Sequence, residues 1–292
     1  MMDLDALLEP LDARALGACS TESHVPVVGG SLRVLHHRPQ NPAGRPVVFL
    51  PGFSASVPVW QEAYSMLQGR AEFYVVETLD KGTTRLDEGV PTLTPQALAA
   101  QAERFTATLG DHVLVAASWL ATSVLAARAE GGLLAPTTVV CDPVPRLWLP
   151  WFIPQWSLPL LPATLFGLLR RPLGAIAMAA VAPHERGRFE SILQSADPRR
   201  WKQVCLDGRD TDLLDGRLAA AEGEIWVVNT ADDPVHPAED AGQVSRSLPN
   251  GRLVQLELGS GRERFCGGVA LAFARTPAGE TPALLRDLVA NE

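Results

Sequence analysis

Short apolar runs alternate along this chain with stretches whose apolar residues recur every three to four positions. The runs at 24–28, 32–37, 46–50, 72–77, 113–117, 137–141, 224–229 and 252–256 read as strands. The last five or six are almost continuously apolar, as expected of strands covered on both faces of a parallel sheet. Between them, 59–67, 95–109, 119–129 and 238–248 carry helical spacing, and Thr94 before Pro95 is a helix-start signal. The alternation predicts an α/β chain: a mostly parallel central sheet flanked by helices, opened by two strands able to pair antiparallel. Residues 1–22 read as an N-terminal helical segment with Leu4, Leu7, Leu8 and Leu11 on one side.

The rhythm breaks over 143–223, which reads as an apolar, Pro- and Trp-rich cap inserted between two parts of a core, 23–142 and 224–292. Residues 147–169 carry no charge and include Pro150, Pro154, Pro159 and Pro162 with Trp148, Trp151 and Trp156. The stretch is long enough to span a bilayer. Four prolines, each removing a backbone donor, argue against a straight membrane helix. A lid over a pocket is the expectation, and a segment docking at the membrane interface, where Trp is favoured, is the alternative.

Composition narrows the partners. With 292 residues, 47% apolar and 20% charged, the chain belongs with folded globular proteins. Lys plus Arg number 25 against 33 Asp plus Glu, a net charge of −8 with no basic block, so nucleic acid is not an expected partner. Cys19, Cys141, Cys205 and Cys266 are widely spaced, without the pairing of a zinc or thioredoxin-like site. Neither a metal nor another cofactor is expected. Asp3, Asp5, Glu9 and Asp12 stand where a signal peptide needs positive charge, and a cytoplasmic protein, peripheral to the membrane if the cap docks there, is the expectation.

The residues that carry chemistry begin with Ala116-Ala117-Ser118-Trp119-Leu120, where a buried strand runs through a serine into a helix. A serine on such a turn has its hydroxyl lifted above the sheet, and the next backbone N–H faces a developing oxyanion. Upstream, Val47-Val48-Phe49-Leu50-Pro51-Gly52-Phe53-Ser54 joins a strand to a loop, and Thr230-Ala231-Asp232-Asp233-Pro234-Val235-His236-Pro237 follows another strand. In order and spacing these segments resemble α/β-hydrolase-fold proteins of the esterase and lipase type. The resemblance covers residues 33–142 and 224–292 and leaves the middle as the variable cap. It implies Ser118 as nucleophile, the Phe53 and Trp119 amides as oxyanion donors, Asp233 as orienting acid and no cofactor. Pro51-Gly52 stands where His-Gly is usual, and Ala116 and Leu120 replace both glycines of the nucleophile elbow. Leu120 is the larger departure, since its side chain must fit where helix and strand approach closely.

The base position departs further. The resemblance places a histidine after the last strand, and Arg262 fills that slot; no histidine follows His236. A guanidinium stays protonated and cannot accept the serine proton. Loss of a triad base costs on the order of 10⁶ in turnover, so the sequence argues against an ordinary triad. His236, three residues beyond Asp233, is the one candidate for a relocated base, although a histidine of the surface or pocket wall is the commoner case. His24, His36 and His37 are expected to be exposed, His112 to lie at the wrong end of its strand, and His184 is not placed. Asp142 is an alternative acid, and both Asp142-Pro143 and Asp233-Pro234 also read as plain turns. Arg262 is free in this reading to pair with Asp233 or hold an acidic ligand. Cys141 and Cys266 lack an elbow and are expected to be buried, and residues 77–84 read as a turn. Two functions stay open: a serine hydrolase of carboxylic esters or lipid-like acyl substrates with an incomplete triad, and a catalytically silent hydrolase-fold protein that binds an apolar small molecule or a partner.

Overall fold

The computed structural model describes residues 20–42, 44–55, 57–132, 135–147, 159–160, 162–165, 167–168, 190, 192, 195–230, 236–256, 262–286 and 288. Among them, nine strands form one sheet: β1 (Thr21–Val27), β2 (Gly30–His37), β3 (Val47–Leu50), β4 (Phe73–Glu77), β5 (Arg85–Leu86), β6 (Val113–Ala117), β7 (Thr137–Cys141), β8 (Ile225–Thr230) and β9 (Gly251–Leu256). Their order is β1-β2-β4-β3-β6-β7-β8-β9, with β5 paired to β2. The β1-β2 and β2-β4 pairs are antiparallel, and every pair from β4 to β9 along that order is parallel. The helices are α1 (Gln61–Leu67), α2 (Pro95–Thr106), α3 (Trp119–Ala129), α4 (Pro198–Gly208), α5 (Ala238–Ser247), α6 (Arg262–Ala274) and the short α7 (Ala283–Arg286).

The period-two side-chain alternation of the central strands divides the core in two. Val48, Leu50, Leu114, Ala116, Val140 and Val227 face the cluster completed by α2, α3 and α5. Val47, Phe49, Val113, Val115, Val139 and Val228 face the cluster completed by α1 and α6. All residues of β3, β6, β7 and β8 are buried, as the apolar runs require. Thr94 caps α2, its hydroxyl accepting from the Ala97 N–H at 3.2 Å, with Pro95 in the first turn.

The elements the pattern left out have physical reasons. Helix α6 is buried almost all round, so it lacks the polar face that a periodicity search needs. Gly267 lets it approach α1: a Cβ there would lie 2.4 Å from the Ala63 carbonyl oxygen. Helix α4, inside the segment read as cap, is announced by Asp197, whose carboxylate accepts from the Arg199 and Arg200 N–H groups, and by Pro198 in its first turn. Strand β1 starts at Thr21, so the helical segment expected to 22 gives way to the sheet there, because Thr21 and Glu22 pair with His36 and Leu35. Residues 1–19, with Cys19, and the cap residues Trp148, Trp151, Trp156, Arg170, Arg171 and His184 lie outside the described residues.

Candidate active site

Backbone strain marks the site before any side chain does. Among the described residues, three that are not glycine have positive φ: Ser54 at 51°, Ser118 at 52° and Asp142 at 50°. They follow β3, β6 and β7, three neighbouring parallel strands, at their carboxyl ends. Such conformations cost about 1–3 kcal/mol each and persist where the surroundings over-determine them. Here the surroundings are backbone bonds: Ser118 N–H donates to the Cys141 carbonyl at 2.8 Å, and Asp142 N–H to that of Val228 at 2.8 Å.

Ser118 forms the corner between β6 and α3. Its φ of 52° and ψ of −123° turn the chain so that the side chain stands clear of the sheet. Ala116, Ala117, Trp119 and Leu120 are buried, whereas Ser118 is partly exposed. The strand-to-helix corner accommodates both larger residues: Ala116 is a buried strand residue, and Leu120 packs into the cluster that α2 and α3 share. Trp119 opens α3, and a helix leaves its first N–H groups without an intrahelical partner.

His236 reaches this corner from the loop between β8 and α5. Its Nε2 lies 3.0 Å from Ser118 Oγ, and the residue is 6% exposed. Asp233 and residues 231–235 around it lie outside the described residues.

A second, charged pair occupies the end of β7. Arg262, the first residue of α6, donates from Nε to Asp142 Oδ2 at 2.6 Å, with 5% and 1% of the two residues exposed. The guanidinium also lies over the Trp60 ring, 5.8 Å from its centroid. Arg262 thus pairs with Asp142, while the pairing with Asp233 considered from sequence falls on a residue outside the described ones. Asn229, not singled out from sequence, holds the other carboxylate oxygen: its Nδ2 donates to Asp142 Oδ1 at 2.8 Å and to the His236 carbonyl at 3.2 Å. The legible signal was a lone amide ending the apolar run Ile225-Trp226-Val227-Val228.

No protein-family model and no curated protein matches this sequence. Solved structures do. An esterase from Exiguobacterium antarcticum superposes with a TM-score of 0.70 at 17% identity, over 88% of this chain and 100% of that one. The enol-lactonase from Burkholderia xenovorans gives 0.62 at 13% identity, over 81% and 91%. A thermophilic esterase from Thermogutta terrifontis gives 0.60 at 17% identity, over 82% and 89%. The chain has the α/β-hydrolase fold.

In this α/β-hydrolase fold the loop after β3 presses against the elbow. A Cβ on Gly52 would lie 3.0 Å from Ser118 Cβ and 3.7 Å from Ser118 Oγ, so glycine leaves the hydroxyl open on that side. Phe53 follows and stacks on Trp201 of α4, ring centroids 5.7 Å apart. The next residue, Ser54, donates its N–H to Asp80 Oδ2 at 3.3 Å. Within residues 77–84, read from sequence as a turn, Thr78, Asp80, Lys81 and Thr84 form a buried polar hub. Lys81 Nζ meets both Asp80 oxygens at 2.7 and 2.9 Å. Arg200 of α4 donates to the carbonyls of Leu79, Lys81 and Thr84. Burial pulls the Lys81 ammonium below its ordinary pKa, and the Asp80 carboxylate works against that pull. Through this hub the loop after β3 is tied to α4.

The remaining candidates fall away from the site. His36 is partly buried rather than exposed, stacked on Tyr74 and 2.8 Å from Glu72 Oε1. His24 and His37 are also partly buried, and His112 is buried at the amino end of β6, its Nδ1 2.8 Å from the Gly110 carbonyl. The Cys266 thiol is pushed well up by its hydrogen bond to Cys141 and by burial, and burial raises Cys205 to about 11. Neither offers a thiolate at neutral pH. Among the described residues no group of three or more His, Cys, Asp or Glu side chains could hold a metal ion, and no helix is long and apolar enough to cross a membrane.

Proposed function

We propose that this chain is a serine hydrolase of carboxylic esters or related apolar acyl compounds, with Ser118 as nucleophile and His236 as a base relocated to the loop after β8. The 3.0 Å contact between Ser118 Oγ and His236 Nε2 carries the reading. For Nε2 to accept the serine proton, the ring must hold its own proton on Nδ1. Ser118 Oγ then attacks the acyl carbonyl carbon as Nε2 takes the proton, and the oxyanion forms towards the Phe53 and Trp119 amides. Collapse breaks the bond to the alcohol, which leaves with the proton from His236. Water, deprotonated by the same nitrogen, hydrolyses the acyl-enzyme. Asp233 is the candidate to orient the ring, with Asp142 committed to Arg262. The apolar composition of 147–169 and the Phe53–Trp201 stack support an acyl group as the part of the substrate held by the cap side.

A catalytically silent relative is the competing reading, favoured by Arg262 in the base slot. A fluorophosphonate probe separates the two. Labelling that Ser118→Ala abolishes, together with hydrolysis of p-nitrophenyl butyrate, supports the hydrolase, whereas absence of labelling in the wild type supports the silent protein. Docking of the cap on lipid is tested by liposome co-sedimentation of wild type and Trp151→Asp: binding lost in the variant supports it, and a protein that stays in the supernatant in both forms contradicts it.

A further inference from the structure

We infer that Asn229 is a positioning residue for the base, coupling the buried Asp142–Arg262 pair to His236. The inference rests on the reading of Ser118 and His236 as nucleophile and base, and adds what holds that base in place. Every polar atom of the Asn229 side chain is committed. Its two amide protons go to Asp142 Oδ1 and the His236 carbonyl, and its Oδ1 accepts from Gln255 Nε2 at 3.1 Å. The residue is 1% exposed, so each bond is made away from competing water. Asp142 is fixed in turn, by its backbone bond to Val228 and by Arg262. The charged pair therefore acts as an anchor. It orients the carboxylate, the carboxylate orients the amide, and the amide clamps the backbone of the residue whose ring meets Ser118.

This explains what an arginine, permanently protonated and unable to accept the serine proton, does in the slot that the fold's resemblance gives to a histidine. It does not replace the base; it neutralises and aims Asp142, whose second oxygen holds Asn229. Serine reactivity depends on sub-ångström placement of the imidazole, so a clamp on its backbone acts on the chemical step rather than on binding.

The test is Asn229→Leu, close in size but unable to donate, read by two measurements on the purified full-length chain. In the first, the imidazole resonances of His236 are followed by NMR; they should shift on the substitution, while those of His112, distant at the amino end of β6, stay in place. In the second, fluorophosphonate inactivation should slow about tenfold with its half-saturating concentration unchanged, and the loss should vanish in a His236→Ala background. Unmoved His236 resonances, or a slowing that persists without His236, would overturn the assignment. The NMR arm stands even if the wild type proves inert to the probe, which would sink the hydrolase reading alone. Should Asn229→Leu fail to fold, Gln255→Leu frees the amide oxygen and must produce the same shift in smaller measure; resonances unmoved there would equally overturn the assignment.

Discussion

The ends of β6 and β7 lie side by side, and each presents a strained residue with a partner from a distant loop or helix, yet the two pairs differ in charge. Ser118 and His236 meet through a hydroxyl and an imidazole nitrogen at 3.0 Å. Asp142 and Arg262 are a buried ion pair at 2.6 Å, and losing either partner leaves a lone buried charge. On the proposed reading the pair at β6 serves chemistry and the pair at β7 rigidity. The β-strand ends supply equivalent scaffolds, and the side chain delivered to each one decides its use.

The largest difference between the two should appear on removing Ser118. Ser118→Ala abolishes covalent labelling outright and leaves the melting temperature nearly unchanged, as intact-mass spectrometry and thermal melts would show. At β7 the sense reverses. Arg262→Ala strands the buried Asp142 carboxylate and should destabilise the fold by about 3–5 kcal/mol, a fall in melting temperature of roughly 10 °C by calorimetry. Adding Asp142→Leu to Arg262→Leu should recover much of that, because removing both charges is far cheaper than isolating one. A Cβ at Gly52 crowds Ser118 without touching the ion pair, so Gly52→Ala should slow labelling about ten- to a hundredfold with little change in stability. The smallest effect belongs to the thiols. Raised above their ordinary range, Cys141-bonded Cys266 and Cys205 should resist maleimide in the folded protein at pH 8, and Ser118 labelling should be the same before and after treatment.

Most of the scaffold was legible because its cues are local. Parallel strands covered on both faces favour apolar residues, and β3, β6, β7 and β8, each built around two valines and buried throughout, have bounds that differ from the sequence reading by at most a residue. Thr94-Pro95 fixed the start of α2 for the same reason. Helix α6 escaped because a helix apolar on all sides has no periodic face, and its Gly267-Gly268 step reads as a break although it serves a close approach to α1. At the site, Ser118 was legible from the strand, serine, helix order. Its contact with His236 spans 118 positions of sequence. No local pattern encodes such a contact, and the commoner behaviour of a lone histidine pointed to the pocket wall. Asn229 was missed because the one local signal, an amide closing an apolar run, does not say which acceptors it will meet.

Activation of Ser118 by His236 is read from the rate of fluorophosphonate labelling in His236→Ala against the wild type. Labelling of the wild type at Ser118, slowed at least about 100-fold in a variant that remains folded, is the expected result. Equal rates in the two proteins would contradict it.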